Sequence, residues 1–276
     1  MLTLTSPCCM TDPIGIIAGN GIYPATFIAH ARKAGVKKLA MCAFENETQS
    51  ENADKVDAIE WVRVGQLSKM IKFFKREGVH HCVMVGQIAP KNLFDLRPDI
   101  RTLLMMARLK QRNAETLFGG IANELKKDDI ELLPATTFLE ELMPAPGLVA
   151  GPTFKKRRQD DIDYGFQIAK ESSRLDIGQT VIVKNGTVLA VEAFEGTNEC
   201  VKRGGSLGKD DATMIKVSKP NQDMRFDVPV VGPATIQTAA SAGVDVIGVE
   251  ARKTIILAKD EVEKLCQTLK VSLVAR

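Results

Sequence analysis

Short apolar runs bounded by glycine alternate with 3.6-residue patterns through the first half of this chain. Residues 14–18, 39–44, 58–62, 81–88 and 130–133 read as strands, apolar along their length or nearly so. Such runs suit strands buried on both faces. Between them, 24–34 reads as a helix opened by Pro24 and stopped by Gly35. A periodic helix over 67–77 is capped by Gly78, and two more helices are expected over 99–111 and 113–127. This alternation predicts an α/β chain whose amino-terminal domain is a Rossmann-like parallel sheet covered by helices.

The pattern breaks at residues 143–152, where three prolines and two glycines fall in ten positions, and an interdomain linker is expected there. The domains are accordingly set at 13–143 and 152–276. After the break, 159–174 reads as a helix with Ile162, Phe166, Ile168 and Ala169 toward the core. Strands over 180–183 and 188–192 flank Asn185-Gly186, a strong hairpin signal. Strands at 213–217, 246–249, 254–257 and 271–274 and helices at 234–242 and 260–269 complete a mixed α/β carboxy-terminal domain.

Composition narrows the function classes. Of 276 residues, 45% are apolar and 26% charged, ordinary for a globular protein. A net charge of +3 and 5% aromatics argue against nucleic acid as a partner. Six cysteines without a CxxC pair and three histidines without ligand spacing argue against a disulfide framework or a zinc site. No window approaches a membrane span, and Met1 to Asp12 lacks the basic and apolar regions of a signal peptide, so a cytoplasmic protein is expected.

Candidate chemistry concentrates in Lys219-Pro220-Asn221-Gln222-Asp223-Met224-Arg225-Phe226-Asp227. The helix expected after Gly232-Pro233 would aim free N–H groups at an anion, with Lys219 and Arg225 adding charge. Asp223 and Asp227 suggest a metal or a general base; the plain alternative is a charged loop. Gly19-Asn20-Gly21 would let the backbone approach a diphosphate, the alternative being a tight turn. An NAD site is weaker, because a third glycine is missing and Glu45 comes late after the second strand. Gln87 and Lys91 lie at the carboxyl end of the fourth strand, where either could meet a base edge or a phosphate, the alternative being a capped strand end with a solvated lysine. Glu192 and Glu195 would offer hard oxygen ligands to Mg²⁺, while Thr197 suits either a substrate contact or a helix cap. Arg174 and Asp176 are expected to pair with each other. Leu103 to Leu109 are read as core rather than as an acyl-chain surface.

Four of these segments occur in a familiar order: 16–21, Arg174-Leu175-Asp176-Ile177-Gly178-Gln179, Val191-Glu192-Ala193-Phe194-Glu195-Gly196-Thr197, and Lys219 through Pro229. Together they resemble the LpxI-type UDP-2,3-diacylglucosamine pyrophosphatases of lipid A biosynthesis, over nearly the whole chain from Ile14. The resemblance implies a Mg²⁺-dependent hydrolase, with Mn²⁺ as a substitute. Its products would be UMP and 2,3-diacylglucosamine 1-phosphate (lipid X), formed by water attack on the α-phosphorus. It also implies a lipid nucleotide held by both domains and at most peripheral contact with the inner membrane, and a homodimer is compatible with it. The essential aspartate of the family's Arg-x-Asp-x-Pro context falls on Asp227. On this reading Asp227, with Glu192 or Glu195, holds the metal and Lys219 and Arg225 offset phosphoryl charge. Gln222 orients water or a phosphate oxygen, and Gly19, Asn20 and Gly21 seat the nucleotide. A nicotinamide-dependent oxidoreductase and a non-catalytic nucleotide-lipid binder remain the rivals.

Overall fold

In the computed structural model, which describes residues 12–88, 98–109 and 114–276, the apolar runs of the first half form one parallel sheet. Its strands β1 (Ile14–Ala18), β2 (Leu39–Phe44), β3 (Ala58–Val62), β4 (His81–Val85) and β5 (Glu131–Leu132) lie in the order β3-β2-β1-β4-β5. Every residue of β1 and β2 is buried, as expected of central strands covered on both faces. Around them lie α1 (Tyr23–Lys33), α2 (Leu67–Glu77), α3 (Ile100–Arg108) and α4 (Ala114–Lys126). Gly78 ends α2 in the left-handed region, with φ 75°. Asp99 opens α3: one carboxylate oxygen accepts from Thr102 N (2.8 Å) and the other from Ser68 N (2.6 Å), joining the starts of α2 and α3. Arg101 then ties α3 to α4 through Glu124 and Asp128.

Two expectations for this half change. The fourth strand ends at Val85 rather than at 88, because Gly86 takes φ 94° and turns the chain. Leu103 and Leu104 are not core; they are 52% and 56% exposed, while Met105 on the opposite side of α3 is buried.

The chain divides into two compact units, Met1–Leu139 with Asp223–Asp227, and Glu140–Gln222 with Val228–Arg276. Five residues from late in the sequence thus complete the first unit. Ala135 N donates to Met224 O (2.8 Å), and the Phe226 ring lies 5.5 Å from that of Phe118.

The second unit holds β6 (Gly147–Ala150), α5 (Lys156–Arg174), β7 (Thr180–Lys184), β8 (Thr187–Val191), α6 (Thr197–Gly208), β9 (Ala212–Lys216), β10 (Val230–Val231), α7 (Pro233–Ser241), β11 (Val244–Val249), β12 (Ile255–Ile256), α8 (Lys259–Leu269) and β13 (Ser272–Ala275). Six strands form a mixed sheet in the order β6-β13-β11-β9-β7-β8, and β10 pairs with β12 apart from it. β9, β11 and β13 run parallel; β7 is antiparallel to both its neighbours and β6 to β13. The stretch expected to be a linker therefore carries a strand. β6 adds to the edge of the sheet, where an antiparallel strand needs no crossover helix.

The Asn-Gly hairpin forms as expected. Asn185 (φ 51°) and Gly186 (φ 73°) are both left-handed, the signature of a type I′ turn. Buried Asp161 accepts from both of their N–H groups, at 3.1 and 2.7 Å. One face of the sheet packs Val181, Val183 and Ile215 on Ile162 and Phe166 of α5. The other packs Ile182 and Met214 on Cys200 and Val201 of α6, with Ile236 and Val262. A glycine inside α6 permits that contact, since a Cβ on Gly204 would lie 2.6 Å from Ile182 Cβ. Cys42, Cys82, Cys200 and Cys266 are free and buried, and burial pushes the Cys200 thiol up to about 12. Among the described residues no helix is long and apolar enough to cross a membrane.

Candidate functional site

Open parallel sheets take their ligands at the carboxyl ends of the strands. In the first unit that edge brings two sequence motifs together. Asn20 N donates to Gln87 O (2.7 Å) and Gln87 N to Asn20 O (3.1 Å), while Gly19 N donates to Val85 O (2.8 Å). A Cβ on Gly19 would lie 2.5 Å from Gln87 O, and one on Gly86 would lie 2.7 Å from Asn20 O. Gly19 is therefore required by the chain beside it. Gly21 differs: it takes φ 87°, and nothing lies within 4 Å of where its Cβ would be. Its N–H donates to Asn20 Oδ1 (2.6 Å), and α1 follows without a side-chain cap. We expect Gly19→Ala to destabilise the protein by about 1–3 kcal/mol through overpacking, read as a lowered Tm. An unchanged Tm would show that the two segments can separate. Lys91 lies outside the described residues.

Beside this edge is an apolar cavity of about 70 Å³, lined among others by Phe44, Val62, Met70, Met105, Met106 and Phe118. Phe44 and Val62 are the last residues of β2 and β3. Glu45, the acid weighed for a nicotinamide cofactor, is held by Arg63 Nε at 3.0 Å.

The charged stretch that follows β9 is ordered by its own side chains. Lys219 N donates to Gln222 Oε1, leaving Gln222 Nε2 buried with no partner among the described residues. The Lys219 ammonium bonds Asp176. Arg174 is taken by Glu171 (2.9 Å), so the expected pairing of Arg174 with Asp176 does not form. Arg225 Nε and Nη2 grip both oxygens of Asp223. The guanidinium bonds hold Asp223 below the usual carboxylate range, against a smaller upward push from burial. Phe226 N (3.2 Å) and Asp227 N (3.0 Å) both donate to Asp223 O, closing one turn. Asp227 ends that turn, half-buried. Asp223 is thus the anchor of Arg225 and of the turn, a role its sequence position did not reveal.

In the second unit, Glu192, Glu195 and Thr197 follow the carboxyl end of β8. Glu195 is engaged at both oxygens, by Arg203 Nη2 (2.5 Å) and Ala193 N (3.0 Å), and the Arg203 bond holds its carboxyl down. Glu192 is 8% exposed. Its Oε1 accepts from Thr197 Oγ1 (2.8 Å), which accepts from Lys216 Nζ (3.0 Å), and its Oε2 has no partner among the described residues. Thr197 does not cap α6: Gly196 stands at the cap, and the Thr197 hydroxyl turns to Glu192 instead. Among the described residues no group of three His, Cys, Asp or Glu gathers that could hold a metal ion. Mg²⁺ commonly takes only one or two carboxylates and completes its shell with water and substrate phosphates. The free oxygen of Glu192 fits that demand, whereas the engaged oxygens of Glu195 do not. Lys216 was missed in the sequence; its signal is a lysine closing an otherwise apolar strand, where an unpaired charge is rarely buried.

These features define an α/β protein of two units whose unsatisfied polar atoms include Glu192 Oε2 and Gln222 Nε2, each just beyond a strand. The family model of the LpxI N-terminal domain matches residues 13–142, and that of the LpxI C-terminal domain matches 145–274. The chain belongs to the LpxI family. A curated relative, the UDP-2,3-diacylglucosamine pyrophosphatase LpxI of Caulobacter vibrioides, is 30% identical over 264 residues, which cover 90% of this chain and 92% of the relative.

Proposed function

We propose that this chain is a hydrolase of lipid A biosynthesis. It would cleave the diphosphate of UDP-2,3-diacylglucosamine to UMP and 2,3-diacylglucosamine 1-phosphate. The observation that carries this is similarity along both halves at once, to a relative named for that substrate. A lipid substrate also favours peripheral contact with the inner face of the inner membrane.

In this reading the oxygen of water bonds to the α-phosphorus and the bond from that phosphorus to the bridging oxygen breaks. The diacyl sugar phosphate leaves with that oxygen. Asp227 accepts the water's proton or serves as a metal ligand. Gln222 Nε2, buried and unpartnered, is the group available to donate to a phosphate oxygen or to the water. Lys219 and Arg225 offset the growing charge, each already poised in an ion pair that an arriving phosphate would share. Asn20, Gly21 and Gln87 would seat the nucleotide. Bound Mg²⁺ would polarise the diphosphate and acidify a water, with Asp227 or Glu192 as a candidate ligand. Incubation with UDP-2,3-diacylglucosamine and Mg²⁺ in oxygen-18 water should release UMP carrying the label. No UMP would overturn the reading; label in the sugar phosphate would overturn attack at the α-phosphorus alone.

A further inference from the structure

The end of β9, where the chain turns into Lys219, is held by charges that the reaction above leaves unused. Every hydrogen-bonding group of Ser218 is taken. Its N and Oγ donate to Glu250 Oε2 (3.0 and 2.7 Å), and its O accepts from Lys170 Nζ (2.8 Å). Lys170 Nζ also bonds Glu250 Oε2 (2.5 Å), and Lys253 Nζ lies 2.7 Å from Glu250 Oε1. Glu250 follows β11 and Lys170 stands on α5, so one strand exit is tied to its neighbour and to the helix beneath both. Burial pushes the Glu250 carboxyl up, and the bonds from Lys170, Lys253 and Ser218 overcome this and bring it down to about 2. It is a fixed anion at any working pH. The next residue, Lys219, begins the turn that leaves Gln222 Nε2 free.

We propose that Glu250, with Lys170, is a positioning residue. By fixing Ser218 it sets the direction in which the turn 219–222 presents the Lys219 ammonium and the Gln222 amide to the diphosphate. This rests on the part given to Lys219 and Gln222 above. An ion cluster whose only work is stability would lower Tm when broken and leave the turnover of folded enzyme alone. Only a positioning role couples it to Gln222.

The test is a double-mutant cycle on the full chain, with kcat and KM expressed per folded molecule. Glu250→Gln keeps the shape and removes the charge. It should lower kcat about tenfold or more while KM stays within about threefold. In a Gln222→Ala background, already impaired, the same change should cost less than about threefold further, because sites acting as a unit are not additive. Lys170→Met, which frees the Ser218 carbonyl, should show the same coupling and serves if Glu250→Gln melts below the assay temperature. With Gln222→Ala impaired, a Glu250→Gln kcat within about threefold of the parent, or a full additive loss in the double variant, overturns the inference. A normal Gln222→Ala enzyme overturns the role of Gln222 itself, and the inference with it.

Discussion

Asp227→Ala is expected to abolish nearly all turnover while substrate still binds. The change should leave the fold in place, since the turn is closed by backbone bonds to Asp223 O and anchored by Phe226 on Phe118. Neither anchor uses the Asp227 side chain. Val228, ahead of Pro229, is steered into extended backbone, so the turn ends at Asp227 and its position is set locally. Loss of a general base there corresponds to roughly a 100- to 10,000-fold fall in kcat. Binding need not weaken, because removing a carboxylate also removes its repulsion toward a negative diphosphate. If Asp227 merely capped the turn, its removal would take about 0.5–2 kcal/mol of stability and spare the rate. Turnover and equilibrium binding of intact substrate, both measured on folded variant, separate the two. A rate within a few-fold of the parent would move the catalytic centre elsewhere.

Chelation should have the second large effect. Excess EDTA is expected to lower turnover about 100-fold or more, and Mg²⁺ or Mn²⁺ to restore it. The donors on offer are hard carboxylate oxygens, and the described cysteines are buried in apolar cores, which excludes a soft thiolate site among them. The two glutamates after β8 should then behave differently. Glu192→Gln should raise the Mg²⁺ concentration needed for half-maximal rate, because Glu192 Oε2 has no partner among the described residues. Glu195→Gln should leave it unchanged, since Arg203 and Ala193 N already occupy that carboxylate. Full activity in excess chelator would remove the metal from the scheme. Equal responses of the two variants would remove Glu192 as its ligand.

The rivals considered from sequence fare differently against these atoms. A nicotinamide cofactor needs an acidic residue free to meet a ribose, and Glu45 is already paired with Arg63. A binder without chemistry has no evident use for a buried carboxylate with one oxygen open among the described residues.

What the sequence by itself determined is what neighbours along the chain decide. The buried strands β1 and β2, the glycine stop of α2, the Asn-Gly turn between β7 and β8 and the proline that opens α7 each follow from residues within a few positions. The candidate residues were legible for the same reason, as dense local clusters of charge and amide. Tertiary structure alone decided who meets whom. Asp176 reaches Lys219 across 43 residues instead of its neighbour Arg174, and Lys170 reaches Glu250 across 80. Gly19 yields to Gln87, and a proline-rich stretch becomes an edge strand because β13 has backbone groups left to pair. Asp223–Asp227 completes the first unit through Phe118 and Ala135, more than eighty positions away. Apolar periodicity carries no information about such partners, because a charge or a backbone carbonyl pairs with whatever the packed core places within about 3 Å of it.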